Sequence, residues 1–393
     1  MYKRQNAKDK VPFKIFDKKN AEKLFGKNLN ISASQLEKFN LCRFSYFCNY
    51  GLNVRERQRA EINPMQYGTI VHYILERFFG EYTKEEYLSL EEDKFQKIVC
   101  AYLAEYAVKY FGEEQLESNS FTYRLKTILD NVMYLMKHIM EELSQSEFFV
   151  ADCELKIGED IPSYTIVLPD GHKIAVCGSV DRVDIMQRAD ITYLRIIDYK
   201  TGTKQFKLSD ILYGINLQML LYLHSIEASG GDKYGEIVPA GILYMPATVP
   251  YISSDSLKSI DKLPDELNKK LKMNGLLLKD TEIIHGMDKT DAATYIPVKI
   301  KAGEPVSSTS LATLAEFGKI FKKVDMLIAE MGKNIYNGNI EAKPLKGGHD
   351  SCEYCPYDSV CAYRQSNPIT CFSVDNKTVI EEITNEINGK EEE

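Results

Sequence analysis

Gly178-Ser-Val-Asp181-Arg-Val-Asp184 and Ile196-Ile-Asp198-Tyr-Lys200-Thr-Gly202 decide how this chain is read. They read as two β-strands and the hairpin between them. Ala175-Val-Cys-Gly-Ser-Val is small and apolar, with Asp181 near the end of that strand. Tyr193-Leu-Arg-Ile-Ile is β-branched and aromatic, which suits a strand ending at Asp198 and Lys200. Residues two apart on a strand share a face, so Asp198 and Lys200 project together and Tyr199 points away. If the strands pair, Asp181 comes alongside. Two carboxylates and a lysine at a sheet rim suit a hard divalent cation and a polarised water. A D-x-K pair alone is more often a surface ion pair. Here Asp198 follows an apolar run, where a charge calls for a partner or an ion.

The chain has 393 residues, 44% hydrophobic and 27% charged, with a net charge of −8. That is a globular composition. Any contact with nucleic acid must rest on a local basic patch. No apolar run reaches membrane-spanning length and no signal peptide opens the chain, which predicts a cytoplasmic protein away from membranes. There are nine cysteines, and in the cytosol their spacing raises the question of metals. No G-x-x-x-x-G-K-[ST] phosphate loop occurs, so no helicase or ATPase site is expected.

Residues 1–30 read as a linker or arm, as though cut from something longer. Ser34 with Glu37 fits a capping box, with Ser32 as a rival N-cap. Gln66–Phe79 reads as a helix with Val71, Ile74, Leu75 and Phe78 as its apolar stripe and His72 beside it. Helices follow at 84–112 and 121–147, then a strand carrying Glu154. A helix from about Asp210 to Ser229 places Gln218 and Tyr222 on one face. Another at roughly Thr309–Asn334 carries Lys319, Lys322 and Lys323, which would track a DNA backbone or form a solvated face. Residues 255–305 show no pattern that assigns a role. Residues 366–393 read as a flexible acidic tail.

Cys352-Glu-Tyr-Cys355-Pro-Tyr-Asp-Ser-Val-Cys361 offers three thiolates where a tetrahedral site needs four. Cys371 and the distant Cys42 are the alternatives for the fourth.

These motifs together resemble the PD-(D/E)xK nuclease superfamily, in its RecB/AddB branch. Gly178-x-x-Asp181 resembles that branch's second motif and Asp198-Tyr-Lys200 its third. Gly68-Thr-x-x-His72 resembles the first, with Gly68 letting the helix approach the sheet, and Gln218-x-x-x-Tyr222 resembles the Q-x-x-x-Y motif. The segment Ile31–Phe47 matches the family's pattern except at Arg43, where Pro is usual. The resemblance covers residues 31–365. It implies an α/β fold: a restriction-endonuclease-like mixed sheet flanked by helices, with a helical insertion. It implies Mg2+ (or Mn2+) held by His72, Asp181, Asp198 and the Tyr199 carbonyl. Lys200, Gln218 and Tyr222 join the two aspartates as catalytic residues. Glu154 is a candidate to support the metal, with an exposed strand charge as the commoner meaning.

The resemblance also implies a [4Fe–4S] cluster on Cys42, Cys352, Cys355 and Cys361, with zinc as the rival. Such a staple closes a loop of about 310 residues, worth on the order of 5–6 kcal/mol in the chain-entropy model. The implied activity is exonuclease action on DNA ends and single-stranded tails in recombinational repair. It would be that of an AddB-type helicase–nuclease domain beside an AddA-like subunit. A free-standing CRISPR-associated Fe–S exonuclease and a nuclease-dead DNA-end-binding module are the alternatives.

Overall fold

The computed structural model describes residues 14–55, 64–112, 118–202, 205–250, 252, 263–307, 309–361, 363 and 368–391. The central sheet has six strands: β1 (Phe149–Ile157), β2 (Gly178–Arg188), β3 (Ile191–Lys200), β4 (Glu236–Pro246), β5 (Asn274–Leu278) and β6 (Leu311–Ala312). Their spatial order is β6-β5-β4-β3-β2-β1. β1, β2 and β3 pair antiparallel, β3 and β4 parallel, β4 and β5 antiparallel, β5 and β6 parallel. The sheet is mixed, as expected.

The hairpin forms as read, with one correction. The Lys173–Val176 segment belongs to a separate small sheet, and β2 begins at Gly178. Asp181 therefore lies near the start of its strand. Arg182 pairs with Ile197 in the antiparallel register, so the start of β2 meets the end of β3. That pairing brings Asp181 beside Asp198. Gly178 is required there: a Cβ on it would lie 2.1 Å from the Tyr222 hydroxyl.

Helices flank the sheet: α1 (Ala33–Leu41), α2 (Pro64–Glu81), α3 (Glu92–Phe111), α4 (Asn119–Ser144), α5 (Gln218–Ser229), α6 (Leu314–Tyr336) and α7 (Asn376–Glu391). Ser32 caps α1 and shares a capping box with Gln35, which displaces Ser34 from that role. The stripe Val71, Ile74, Leu75 and Phe78 seats α2 in the core. The expected 84–112 helix is two, because the chain breaks between Lys84–Leu88 and α3. The expected Asp210–Ser229 helix is also interrupted. A 3-10 turn ends at Tyr213, Gly214 takes φ 70°, and α5 starts at Gln218. A side chain at Gly214 would collide with Asn40, whose amide donates to the Gly214 carbonyl at 3.0 Å.

Both ends are more ordered than their composition implies. In the arm, Lys18–Phe25 forms a helix packed on α6, and Asn28–Ile31 pairs with Lys173–Val176; residues 1–13 lie outside the described part. The segment read as a flexible tail forms a strand at Ile369–Cys371 and then α7, and residues 366–367 and 392–393 lie outside the described part. Val379 and Ile383, four apart on α7, are fully buried with the main core, and α7 packs on α6. Lys323 is buried and its Nζ lies 2.6 Å from Glu386 on α7, so it is not available to a DNA backbone. Among the described residues, no helix is long and apolar enough to cross a membrane.

Candidate active site

β1, β2, β3, α2 and α5 deliver side chains to one end of the sheet. His72 comes from α2. Its Nδ1 lies 3.1 Å from Glu154 Oε1 and its Nε2 3.6 Å from Asp181 Oδ2. The ligand atoms of these three residues all lie within 4.8 Å of one another, and no other such group occurs among the described residues. Asp181 Oδ2 also accepts the Tyr199 backbone N–H at 3.0 Å. Asp198 adjoins: its Oδ2 lies 2.6 Å from Lys200 Nζ, and its Oδ1 accepts from Gln218 Nε2 at 3.2 Å.

The site is short of positive charge. Burial, and then the neighbouring Asp198 charge, push Asp181 up to about 7, against the pull of His72 and the Tyr199 N–H. Burial alone would lower the His72 pKa. The Glu154 hydrogen bond and the charges of Asp181, Glu154 and Asp198 outweigh it and raise the value to about 9. Burial raises Glu154, but the bonds from His72 and Ser179 bring it below the usual carboxylate range. Three carboxylates thus share one imidazolium and one ammonium. Oxygen-rich donors with unbalanced negative charge fit a hard divalent cation.

The sequence-derived residues converge, with adjustments. His72, Asp181, Asp198, Lys200 and Gln218 meet. Tyr222 packs its hydroxyl against Gly178 beside them. The Tyr199 ring packs edge-on against the His72 ring, centroids 5.8 Å apart, and its hydroxyl accepts from Arg182 Nη1 at 3.3 Å. Glu154 is no exposed strand charge: it completes the trio with His72 and Asp181, and Ser179 Oγ donates to its Oε2 at 2.8 Å. Its backbone sits at φ 50°, a left-handed conformation that costs a residue other than glycine on the order of 1 kcal/mol. Asp184, three residues beyond Asp181 in the sequence, points away. Gly68 is not needed for close packing, since a Cβ there would meet only Thr201 at an ordinary 3.7 Å. Ser179 and the Tyr199 N–H escape a reading of the sequence, because neither leaves a signature there.

An open cleft of about 920 Å³ leads to these groups, bordered by His72, Glu154 and Lys200.

Elsewhere, Cys42 at the end of α1 meets the C-terminal cysteine run. Cys42, Cys352, Cys355 and Cys361 line one cavity of about 190 Å³. Cys48 packs in the same apolar cluster, whereas Cys371 sits apart with Ile215 and Leu345. Burial pushes the Cys42 and Cys361 thiols up. No three of the four sulfurs lie within 4.8 Å of one another. A single tetrahedral zinc would hold its sulfurs roughly 3.8 Å apart.

A family model described as the PD-(D/E)XK nuclease superfamily matches residues 30–362. The chain is 35% identical over 397 residues to the B subunit of the ATP-dependent helicase/deoxyribonuclease of Clostridium kluyveri, covering 97% of this chain and 34% of that protein. It is 34% identical over 354 residues to the protein of the same name from Thermoanaerobacter sp. (strain X514), covering 87% of this chain and 30% of that one. The chain thus spans about a third of the length of the curated relatives it matches.

Proposed function

This chain belongs to the PD-(D/E)XK nuclease superfamily, and on that premise we propose that it is the metal-dependent DNA-cutting part of an AddB-type helicase–nuclease. The observation that carries this reading is the convergence of Glu154, Asp181, Asp198, His72 and Lys200 at the inner end of an open cleft. His72, Asp181, Asp198 and Glu154 would hold Mg2+ or Mn2+, with the Tyr199 carbonyl as a further oxygen. When bound, the ion supplies Lewis acidity towards water and the scissile phosphate.

The chain's own groups do the rest. Lys200, whose Nζ lies 2.6 Å from Asp198 Oδ2, directs a positive charge at the phosphate oxygens as negative charge builds on them. Gln218 fixes the Asp198 carboxylate by donating to Oδ1, leaving Oδ2 to Lys200 or the ion. Tyr222 holds the start of β2, and so Asp181, in register. The Tyr199 N–H orients Asp181 Oδ2.

The substrate would be DNA ends with their single-stranded tails, cut exonucleolytically during double-strand-break repair in the cytoplasm. The partner would be an AddA-like subunit. The relatives' shared name, an ATP-dependent helicase/deoxyribonuclease, supports this assignment. The test is degradation of labelled single- and double-stranded DNA with Mg2+ and with EDTA. Asp198→Ala and Lys200→Ala should each lose several orders of magnitude in rate while melting normally. Parental rates in both variants would sink the assignment.

We further propose a [4Fe–4S] cluster on Cys42, Cys352, Cys355 and Cys361, supported by the placement of all four thiols around one cavity. The cluster would serve as a crosslink. Protein purified anaerobically should contain iron and labile sulfide, and Cys361→Ala should lose both and melt lower. Stoichiometric zinc without iron would refute it.

A further inference from the structure

The cleft does not end at the carboxylates. It runs on to Tyr73 of α2 and to Tyr106 and Tyr110 of α3. We propose that these tyrosines form a platform on which unpaired DNA bases stack as a single strand enters the active site. This rests on the nuclease reading and names the form of substrate that the site accepts.

The three rings form a graded series. Tyr73 and Tyr106 have centroids 5.2 Å apart, and Tyr106 and Tyr110 4.4 Å. Tyr106 is 5% exposed and anchors the set in the core. The Tyr73 hydroxyl donates to Glu105 Oε1 at 2.7 Å, which fixes that ring. Tyr110, one helical turn beyond Tyr106, keeps 55% of its surface open. An isolated exposed ring is ordinary. This one is held against a buried ring and lines the same cleft as His72, Glu154 and Lys200.

The charges divide the cleft in a way that suits one occupant. Glu76 lines it on the α2 side and disfavours phosphates there, while Glu105, which adjoins it, is paired with Arg77 at 3.8 Å. Lys156 and Lys200 line it on the strand side beside Glu154, Lys156 paired with Glu159 at 3.2 Å and Lys200 with Asp198 at 2.6 Å, and these are the cations a backbone would meet there. A strand lying in the cleft would therefore turn its phosphates towards β1 and β3 and its bases towards the rings. Lys109 Nζ, 5.0 Å from the Tyr110 centroid, adds a cation beside the outermost ring. In a duplex the base faces are already stacked on one another. Only an unpaired strand offers them to a protein ring.

The test is fluorescence anisotropy in EDTA with a labelled oligothymidylate and an abasic strand of the same length. Tyr110→Ala should bind the oligothymidylate roughly tenfold more weakly than wild type. Tyr110→Phe should bind normally, as should Tyr123→Ala, whose ring is 73% exposed on α4. The abasic strand should bind wild type as weakly as oligothymidylate binds Tyr110→Ala. Melting curves confirm that the variants fold. Equal binding by Tyr110→Ala and wild type, or equal binding of the two strands by wild type, overturns the platform while DNA cleavage stands. A wild-type chain that neither binds nor cuts DNA overturns the nuclease reading, and this one with it.

Discussion

On one face of the β2–β3 ribbon, Asp181 and the 2%-exposed Asp198 gather with Lys200, which lines the open cleft in front of them. On the other, Arg182, Asp184 and Arg195 are wholly buried with Glu142 of α4. Both faces gather carboxylates and cations from the same two strands, and alternate residues feed them. The buried set is balanced in charge, although Arg195 Nη1 is buried without a hydrogen-bond partner. Arg182 donates to both Asp184 oxygens at 2.7 Å, and Arg195 Nε donates to Asp184 Oδ2 at 3.0 Å. Glu142 accepts from Arg195 Nη2 at 2.6 Å and from Arg182 Nη2 at 3.1 Å. Two guanidiniums face two carboxylates. The cleft set is left one cation short. The contrast separates a charged group used to hold a fold from one held ready for an ion: balance in the first case, a deficit in the second.

Exchanging the two aspartates' fates is the severest way to break this comparison. Asp181→Asn should cut DNA several orders of magnitude more slowly, because an oxygen that would bind the ion loses its charge. Its fold should survive. Asp184→Asn should do the reverse. It leaves Arg182 and Arg195 facing too little negative charge in the interior, a loss of about 3–5 kcal/mol. The fraction that remains folded should cut at the parental rate. The paired measurement is melting in EDTA and single-turnover cleavage in Mg2+. If Asp184→Asn melts like wild type, the buried set is not a structural charge balance.

One face is legible in the sequence and the other is dark. Asp198 and Lys200 can be read because strand alternation puts them together and an apolar run precedes them. The buried set cannot, since Glu142 lies 40 residues before Arg182, on a helix whose docking no local pattern reveals. Glu154 is undervalued by its sequence for a related reason. Its left-handed backbone breaks the alternation by which strand residues are sorted inward and outward. The C-terminal helix reads as a tail because its charged residues outnumber its apolar ones. Val379 and Ile383 are buried in the core, Ile380 and Ile387 pack against it, and Glu386 pairs with Lys323 of α6, which together dock it. The interruption at Gly214 is hidden because Asn40, which forbids a side chain there, is 174 residues away.

The smallest expected effect, a few degrees in melting temperature, sharpens the comparison most, because the two aspartates should act with opposite signs. An unfolded Asp titrates near 3.9. Without an ion, burial and the Asp198 charge raise folded Asp181 to about 7. Below pH 4 both states hold the proton and Asp181 is silent. Between about 4 and 7 the unfolded chain releases a proton that the fold retains, so stability falls as pH rises, and above 7 the penalty is complete. Asp184 differs. Burial would raise it, but the Arg182 and Arg195 charges hold it below its ordinary value. Its contribution is present above about pH 4 and is lost as pH falls through its folded pKa. In EDTA, Asp181→Asn should therefore melt with wild type near pH 4 and above it at pH 8, the gap opening between. Excess Mg2+ binds the charged site of wild type alone and should close that gap or invert it. A gap between wild type and Asp181→Asn that stays constant from pH 4 to 8 would mean that Asp181 is not a carboxylate kept short of positive charge, and the distinction between the two faces would fail.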